Sequence, residues 1–307
     1  MVILVQERIG DTILTTPLLK HLRHAFPRLE IDLVGVREDN EILRHDPYID
    51  HFFNLHRMTL FQKRKLFRKK YDLLYHSKDH PSFTFLKLCR QLKAKLRVGL
   101  EHPQHRGNFH YLLPQNAVTA TVEKNCSILD LMGSSAWKND LRPYFNEGPL
   151  SPEIENFAES KLKHEKVIGI NLSASNIYKS WKLENYRELL RKIDQKIMVF
   201  GLPEKHADKE CLEKEFSQVI PSPPTPTIND AAHLIKHLKI LISPDTSLVH
   251  LASCYDIPVI ALYRTDLDYK RFPPYSKVQK VLISPTELTD DIPPQAVWEA
   301  YGTLKED

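Results

Sequence analysis

Residues 1–36 read MVILVQERIGDTILTTPLLKHLRHAFPRLEIDLVGV. The apolar runs at 2–5 and 31–34 predict two strands, and residues 13–26 between them have the apolar periodicity of an amphipathic helix. A strand, a helix and a second strand in this order are typical of a βαβ unit with parallel strands. This opening stretch therefore indicates an α/β fold.

The same alternation continues through the N-terminal half of the chain. Short apolar runs at 49–53, 73–75 and 96–99 predict three further strands, and an amphipathic stretch at 83–92 predicts a helix. The segment NDLRPYFNEGPLSP (139–152) then contains three prolines and little apolar periodicity. This composition indicates a domain boundary.

After this boundary the alternation starts again. The predicted strands are 167–171, 197–200, 240–243 and 259–262, and the predicted helices are 183–193, 206–216, 228–238 and 247–254. We therefore predict two doubly wound, Rossmann-like α/β domains, 1–150 and 151–307, that face a central cleft. A helix over 293–304 is expected near the end of the chain, where it could pack back on the N-terminal domain.

The composition argues against several classes of protein. The chain has nine glycines and contains neither G-x-G-x-x-G nor G-x-x-x-x-G-K-[ST], which disfavours dinucleotide dehydrogenases and P-loop NTPases. A net charge of +4 is too small to indicate a nucleic-acid partner. No apolar run reaches the ~18 residues of a membrane span, and MVILV lacks the basic start of a signal peptide. The four widely spaced cysteines suit reduced thiols, so we expect a cytoplasmic protein.

The first candidate site follows the first strand, in RIGDT (8–12). Gly10 permits a tight turn, which brings Asp11 to the carboxyl edge of the sheet and to the start of the next helix. Asp11 could simply stabilise the N-terminus of that helix. Alternatively, its carboxylate faces the cleft and acts as a general base.

Two further candidates lie at strand ends in the second half. The first, NLSASNIYKSW (171–181), offers hydroxyls, backbone amides and Lys179, which could together hold a diphosphate. In the second, SPDTSLVH (243–250), a helix N-terminus suits a phosphate and Asp245 could accept hydrogen bonds from sugar hydroxyls. The alternatives are a solvated loop for the first, and for the second an Asp245 helix cap with His250 packed inside.

The segment RMTLFQKRKLFRKK (57–70) carries seven basic residues and no acidic one. Leu60, Phe61, Leu66 and Phe67 lie between them, so the pattern predicts a basic amphipathic helix. Such a helix suits an anionic membrane surface or an anionic acceptor. A solvated helix face over a core stripe explains the pattern equally well. RNA binding fits poorly, because no aromatic platform accompanies the charge.

Two histidine pairs have spacings that metal sites also use. His233 and His237 are four residues apart, and His102 and His105 are three apart, but neither pair has an evident third ligand. We therefore interpret both pairs as surface histidines and predict no metal site.

Three blocks of the sequence resemble glycosyltransferase family 9, the bacterial heptosyltransferases of lipopolysaccharide core assembly. They are IGDTILTTPLLKHLRHAFP (9–27), INLSASNIYKSWKLENYRELL (170–190) and SPDTSLVHLASCYDIPVIALY (243–263), in the family's order. The resemblance implies the two-domain GT-B fold. It also implies that the acceptor binds the N-terminal domain and the nucleotide-sugar donor binds the C-terminal domain.

The resemblance further implies roles for individual residues. Asp11 matches the family's proposed catalytic base, and Lys179 matches the lysine that neutralises the donor diphosphate. The other donor-binding positions that we expect are Ser173, Ser175, Asp245, Thr246, Ser247 and His250. The acceptor-binding positions that we expect are Gly10, Thr12, Arg57, Arg64 and Arg68. Two departures bear on the donor: Ser247 stands where the family usually has Gly, and Arg264-Thr265 where it often has Gly-Pro.

The implied activity is an inverting, metal-independent transfer of heptose from ADP-heptose to the lipopolysaccharide inner core, with no cofactor. The implied partners are the nucleotide sugar, an anionic lipopolysaccharide precursor and an anionic membrane. The enzyme would then act in the cytoplasm at the inner face of the inner membrane. Two alternatives stay open. One is a transferase with another nucleotide sugar or a later core acceptor, and the other is a catalytically silent homologue that binds nucleotide sugar.

Overall fold

The computed structural model of the chain describes residues 1–6, 8–163, 165 and 167–305. Its contacts divide the chain between Asn146 and Glu147 into an N-terminal unit and a C-terminal unit. Each unit contains one sheet, and the strands of both sheets are parallel. The α/β class with parallel sheets, predicted from the alternation of apolar runs and amphipathic stretches, is confirmed.

The N-terminal unit is built on a six-stranded sheet. Its strands are β1 (Val2–Leu4), β2 (Asp32–Gly35), β3 (His51–Asn54), β4 (Lys70–His76), β5 (Lys93–Leu100) and β6 (Tyr111–Leu113). Its helices are α1 (Ile9–Ile13), α2 (Thr16–Ala25), α3 (Leu60–Arg68), α4 (Phe83–Gln91), α5 (Thr121–Cys126) and α6 (Ile128–Leu131). The strand order is β3-β2-β1-β4-β5-β6, so β1 lies between β2 and β4.

The C-terminal unit is built on a five-stranded sheet. Its strands are β7 (Val167–Asn171), β8 (Ile197–Phe200), β9 (Leu238–Pro244), β10 (Val259–Tyr263) and β11 (Gln279–Ile283). Its helices are α7 (Pro152–Phe157), α8 (Leu183–Leu190), α9 (His206–Glu215), α10 (Ile228–Ile235), α11 (Ser247–Cys254), α12 (Asp266–Arg271) and α13 (Pro294–Lys305). The strand order is β11-β10-β9-β7-β8. β7, β8 and β10 are buried along their whole length, as expected of parallel strands covered on both faces.

The helix predicted over 13–26 is present as α2 (Thr16–Ala25), but the short helix α1 (Ile9–Ile13) that precedes it was not predicted as a separate element. The hydroxyls of Thr12, Thr15 and Thr16 donate hydrogen bonds to the carbonyls of Arg8, Asp11 and Ile13 at 2.8–2.9 Å. Pro17, which has no N–H to donate, occupies the first turn of α2. A threonine-rich stretch that bonds back to its own carbonyls, followed by a proline, thus ends one helix and starts the next.

Three other helices are shorter than predicted by more than one residue, and the first of them, expected over 183–193, ends at Leu190. The helix expected over 228–238 ends at Ile235, and Leu238 already belongs to β9. The basic segment 57–70 is helical only over Leu60–Arg68, because Lys70 starts β4. Thr59 fixes the start of α3: its side chain accepts a hydrogen bond from the Gln62 N–H, and the Gln62 side chain bonds back to the Thr59 N–H.

α13 packs within the C-terminal unit. Val297, Tyr301 and Leu304 are buried in the same cluster as residues of β7, β8 and α8. Trp181 joins the loop before α8 to this region, because its indole N–H donates a hydrogen bond to the Ile292 carbonyl at 2.9 Å. The apolar face of α13 therefore packs against the core of its own unit.

Candidate active site

The candidate donor site lies at the carboxyl ends of β7 and β9, which are neighbours in the C-terminal sheet. From β7 the chain proceeds to β8 on one side, whereas β9 lies on the other side. Such a reversal of strand order creates the crevice in which open parallel sheets bind ligands. The loop after β7 carries Ser173, Ser175 and Lys179, and Asp245 and Thr246 follow β9.

Lys179, in the loop after β7, and Asp245, directly after β9, form an ion pair. Nζ of Lys179 donates a hydrogen bond to Oδ2 of Asp245 and lies 3.8 Å from Oδ1 of Asp268. Asn176 holds the turn that carries Lys179, because its side chain accepts a hydrogen bond from the Lys179 N–H at 3.1 Å. Burial raises the pKa of the Asp245 carboxyl, and the Lys179 ammonium opposes that shift. The charge of Asp245 therefore depends on its contact with Lys179.

A second ion pair extends the first. Nε of Arg264, directly after β10, donates a hydrogen bond to Oδ2 of Asp268 at 3.2 Å. Thr265 caps α12: its Oγ1 accepts from the Asp268 N–H at 3.0 Å and donates to Oδ2 of Asp268 at 2.8 Å. These bonds fix Asp268 beside Lys179. Asp268 was not predicted from the sequence, since nothing local distinguishes it from an ordinary acidic residue in the first turn of a helix.

Asn171 connects the two ligand loops beneath the site. Its Nδ2 donates hydrogen bonds to Oγ of Ser243 at 3.0 Å and to Oγ1 of Thr246 at 3.1 Å. Its Oδ1 accepts one from the Ser173 N–H at 3.0 Å. The Ser173 hydroxyl oxygen in turn accepts from the Leu202 N–H at 2.7 Å. Thr246 and Ser173, both predicted donor ligands, therefore also take part in the hydrogen bonds that hold these loops together.

The remaining predicted donor residues lie on either side of this network. Ser247 begins α11, Ser175 is exposed in the loop after β7, and His250 is buried one turn along α11. Nδ1 of His250 is buried and has no hydrogen-bond partner among the residues that the structure describes. Burial, followed by the nearby Lys179 charge, lowers the pKa of His250 to about 4. His250 is therefore neutral at pH 7 and can serve as a hydrogen-bonding group but not as a cation.

A pocket of about 490 Å³ adjoins the loop after β7. Its polar lining includes Ser173, Asn176, Glu204, Lys205 and Asp290. No role was predicted for Glu204 or Lys205 from the sequence. The signal that could have found them is GLPEK (201–205), a turn with two charges directly after the buried strand β8.

In the N-terminal unit, Asp11 lies in the first turn of α1, after the short loop that follows β1. Arg8, the residue that precedes α1, makes no side-chain cap. The carboxylate of Asp11 is half-buried and lies at the end of the helix where the backbone dipole favours a negative charge. Asp11 thus lies just beyond the carboxyl end of β1, and its role as a base stays a prediction.

Asn40 holds the loop before α1 in place. Its Nδ2 donates hydrogen bonds to the Gln6 carbonyl at 2.6 Å and to Oγ1 of Thr12 at 2.8 Å. Thr12 is fully buried and its hydroxyl also donates to the Arg8 carbonyl, so it braces α1. A Cβ on Gly35 would lie 2.6 Å from Cβ of Asn40, which explains the glycine there. Asn40 was missed because its partners are distant in sequence.

The loop after β4 carries a polar cluster that was not predicted from the sequence either. Nζ of the buried Lys124 donates to Oδ2 of Asp79 at 2.6 Å, and Nδ1 of His80 lies 2.9 Å from Oδ1 of Asp79. Asn125 bonds to Ser77 at 2.5 Å and to the carbonyl of Leu14. Since β4 pairs with β1, these charges lie at the strand end next to that of Asp11. The sequence signal is HSKDH (76–80) directly after an apolar strand.

The predicted acceptor arginines do not form one group. Arg57 lies before α3 and pairs with Glu38 at 3.1 Å. Arg64 and Arg68 are exposed on α3, and with Phe61 and Lys65 they follow the spacing i, i+3, i+4, i+7. These four residues form one outward-facing stripe of the helix. No ion-pair partner is found for its three cations among the described residues.

A search against family models matches residues 60–296 to glycosyltransferase family 9 (heptosyltransferase). The chain belongs to glycosyltransferase family 9. It is 23% identical over 274 residues to lipopolysaccharide heptosyltransferase 3 of Escherichia coli strain K12, a match that covers 83% of this chain and 79% of the relative. The resemblance stated from the three sequence blocks is therefore confirmed, and so is the expectation of a glycosyltransferase.

Solved structures show the fold of this family 9 enzyme. A family 9 glycosyltransferase from Veillonella parvula superposes with a TM-score of 0.80 at 19% identity, over 100% of this chain and 97% of the other. ADP-heptose lipopolysaccharide heptosyltransferase II of E. coli superposes with a TM-score of 0.76 at 19% identity, over 100% and 99%. The GT-B fold predicted from the resemblance is confirmed.

Two further observations concern the family 9 enzyme as a whole. None of the helices in the described part of the chain combines the length and the hydropathy needed to cross a bilayer.

Within the same residues, Glu30, Asp32 and His51 form a triad with spacing suited to a metal ion. However, Nζ of Lys69 donates to Glu30 and Asp32 at 2.7 Å each, and the Tyr71 hydroxyl donates to Asp32 at 2.7 Å. The ammonium of Lys69 thus lies where a metal ion would bind these carboxylates. We therefore interpret the triad, with Lys69 and Tyr71, as an ion-pair network.

Proposed function

We propose that this family 9 enzyme transfers a heptose from ADP-heptose to the inner core of lipopolysaccharide, with inversion and without a metal ion. The observation that carries the proposal is the contact between Lys179 and Asp245 at the strand ends where a parallel sheet binds its ligand. The names of its relatives support the same activity, since one is a lipopolysaccharide heptosyltransferase and another an ADP-heptose transferase.

The proposed reaction is a single displacement. Asp11 takes the proton of the acceptor hydroxyl, and the hydroxyl oxygen bonds to the anomeric carbon of the heptose. The bond from that carbon to the diphosphate breaks, and its electrons leave with ADP. Lys179 and the N–H groups at the start of α11 stabilise the charge on the departing diphosphate. One displacement inverts the anomeric configuration.

The donor would bind the C-terminal domain, predicted as 151–307. Lys179 would turn from Asp245 to the diphosphate, while Asp245 accepts hydrogen bonds from the sugar. Two further groups would supply hydrogen bonds: Nδ1 of His250, which has no partner within the described part of the chain, and the hydroxyl of the exposed Ser175. Ser247 adds a hydroxyl at the helix start where the family usually has only backbone.

The acceptor would bind the N-terminal domain, predicted as 1–150, with Asp11 and Gly10 beside its reacting hydroxyl. The stripe of Arg64, Lys65 and Arg68 suits phosphate and carboxylate groups. Leu60 and Phe61 at the start of α3 are 87% and 77% exposed, which suits peripheral contact with an anionic membrane. We therefore propose that the enzyme works at the inner face of the inner membrane.

The direct test is transfer from a panel of nucleotide sugars to lipopolysaccharide precursors truncated at successive core sugars. We expect release of ADP and an inverted product with ADP-heptose and an inner-core acceptor, unchanged by EDTA. Transfer only to a longer core would favour the alternative of a later core acceptor. Activity that EDTA abolishes and Mg²⁺ restores would contradict the metal-independent mechanism.

A catalytically silent homologue is the second candidate. The presence of both Asp11 and Lys179 favours an active enzyme. If wild type binds ADP-heptose but releases no ADP with any truncated acceptor, the silent binding protein becomes the better account.

A further inference from the structure

Four charged side chains of alternating sign form a row in the donor site. Arg264 bonds to Asp268, Asp268 lies 3.8 Å from Lys179, and Lys179 bonds to Asp245. Lys179 and Asp268 are each 17% exposed, and Arg264 is 34% exposed. The row has no net charge, and one of its cations, Lys179, lies in the loop proposed to hold the diphosphate.

The balance of this row depends on Arg264. Without it, the single ammonium of Lys179 would face two carboxylates, and the group would carry a net charge of −1. A negative group repels a diphosphate, and a Lys179 held by two carboxylates has less attraction left for the ligand. Thr265 forms hydrogen bonds with both the carboxylate and the backbone N–H of Asp268. If the Asp268 side chain turned away from Lys179, the bond to its carboxylate would be lost.

We infer that Arg264 is a positioning residue for the donor diphosphate: by taking up the charge of Asp268, it leaves Lys179 available to the anion. The inference rests on the proposed function, because it assumes a nucleoside diphosphate at Lys179. Arg264 acts here through Asp268 and need not touch the ligand. Arg264 and Thr265 stand where the resemblance leads one to expect Gly-Pro. The neutralisation of Asp268 by Arg264 is therefore a feature of this chain and is not implied by the resemblance.

The inference predicts opposite effects for the two members of the outer pair. Arg264→Gln should weaken ADP binding by about tenfold, because the unpaired carboxylate of Asp268 then competes with the diphosphate for Lys179. Asp268→Asn should strengthen it by several-fold, since it removes one carboxylate and can still accept from Thr265. The double variant should return to within about threefold of wild type, since it removes both charges of the pair.

The measurement is calorimetric titration of ADP and of adenosine into the full-length protein. Adenosine affinity should stay within about twofold of wild type in every variant, because it carries no phosphate. Lys270→Gln is the matched control: Lys270 pairs with Asp266 at 2.6 Å on the same helix, with the same i, i+4 spacing, and its loss should leave ADP affinity unchanged. Arg264→Lys, which keeps the charge, should bind ADP nearly as well as wild type.

Three outcomes would overturn the inference. Unchanged ADP affinity in Arg264→Gln would show that Asp268 does not compete for Lys179. A double variant as weak as Arg264→Gln would show that Arg264 contacts the ligand directly. Equal loss of ADP and adenosine affinity would reduce Arg264 to a structural residue. In each case a loss of ADP binding in Lys179→Ala would leave the proposed donor site standing, whereas a wild type that binds no nucleoside diphosphate would end both.

Discussion

The C-terminal unit buries its functional charges in pairs, whereas the N-terminal unit leaves three cations of α3 exposed on one face of the helix. Lys179 and Asp245 are 17% and 7% exposed, and each restricts the other. Arg64, Lys65 and Arg68 are exposed on one face of α3. Paired and buried charges are little affected by salt, while exposed ones are strongly screened. The first arrangement suits a small anionic ligand in a preformed site, and the second suits an extended anionic surface.

The largest effect that separates the two units should come from Asp11. Asp11→Asn should lower turnover by about 10²–10⁴ while ADP affinity stays the same, since the base acts on the acceptor and not on the donor. Steady-state transfer and ADP titration measure the two quantities. Asp39→Asn is the control, because it removes an exposed carboxylate of the same unit. Wild-type turnover in Asp11→Asn would reject the base, and a lowered melting temperature alone would indicate that Asp11 only stabilises α1.

The exposed stripe gives the next largest expected effect. Arg64→Gln, Lys65→Gln and Arg68→Gln combined should weaken binding to anionic vesicles by about a hundredfold, since each cation near such a surface contributes about 1 kcal/mol. Co-sedimentation at low and at physiological salt measures this effect, and the wild-type affinity should fall as salt rises. ADP affinity should not change.

A control with the same net charge distinguishes the stripe from general attraction. It combines Arg28→Gln, Lys93→Gln and Arg106→Gln, three exposed cations of the same unit outside α3. Equal vesicle binding by the stripe variant and this control would mean that α3 is only a solvated helix face.

One buried histidine in each unit predicts how the free energy of unfolding depends on pH. Burial lowers the pKa of His250 to about 4 and that of His76, in the N-terminal unit, to about 3. An unfolded chain binds these protons near pH 6.5, so the folded state loses stability as pH falls from 6.5 toward those values. The loss is about 1.4 kcal/mol per histidine per pH unit, or about 2 kcal/mol each at pH 5.

Denaturant unfolding of wild type and His250→Gln between pH 7 and pH 5 tests this prediction. The variant should lose less stability on acidification, and only in the transition of the C-terminal unit. His206→Gln, an exposed histidine of the same unit, is the control. Parallel pH curves for wild type and His250→Gln would show that His250 is accessible to protons in the folded protein.

The smallest expected effect concerns two neighbouring cations of the basic segment 57–70, one paired and one exposed. Lys69→Gln should cost about 1–2 kcal/mol of unfolding free energy, because it removes a charged hydrogen-bond donor from the fully buried Asp32. Its neighbour Arg68→Gln should cost less than about 0.5 kcal/mol, as expected of an exposed residue. Equal costs measured by denaturant unfolding would contradict the assignment of Lys69 to the ion-pair network.

These results show what the sequence could and could not predict. The apolar runs of parallel strands identified most of both sheets, because strands covered on both faces are apolar throughout. β6 and β11 were not predicted. Both lie at sheet edges; β6 has one buried residue, Leu113, and β11 has none, whereas the edge strand β8 is buried along its whole length and was predicted. Strands with few buried residues have less need of a continuous apolar run, so their sequences carry a weaker signal.

The site was predictable to the extent that it is local. The loops with Asp11, Lys179 and Asp245 each follow an apolar strand, so their position at a sheet edge could be derived. Asp268 and Asn171 could not be assigned, because their roles depend on contacts with residues of other loops. The basic segment looked uniform in sequence, yet the fold assigns Arg57 and Lys69 to ion pairs, while the cations of the α3 stripe have no ion-pair partner among the residues that the structure describes.

The central claim is that Lys179 binds a donor diphosphate in the C-terminal unit. Its most direct test is calorimetric titration of ADP and adenosine into wild type and Lys179→Ala. We expect the variant to lose about 1.5–3 kcal/mol of ADP binding, the contribution of a hydrogen bond to a charged group, and to bind adenosine like wild type. Equal ADP affinities in the two proteins would show that Lys179 serves only Asp245, and would contradict the account.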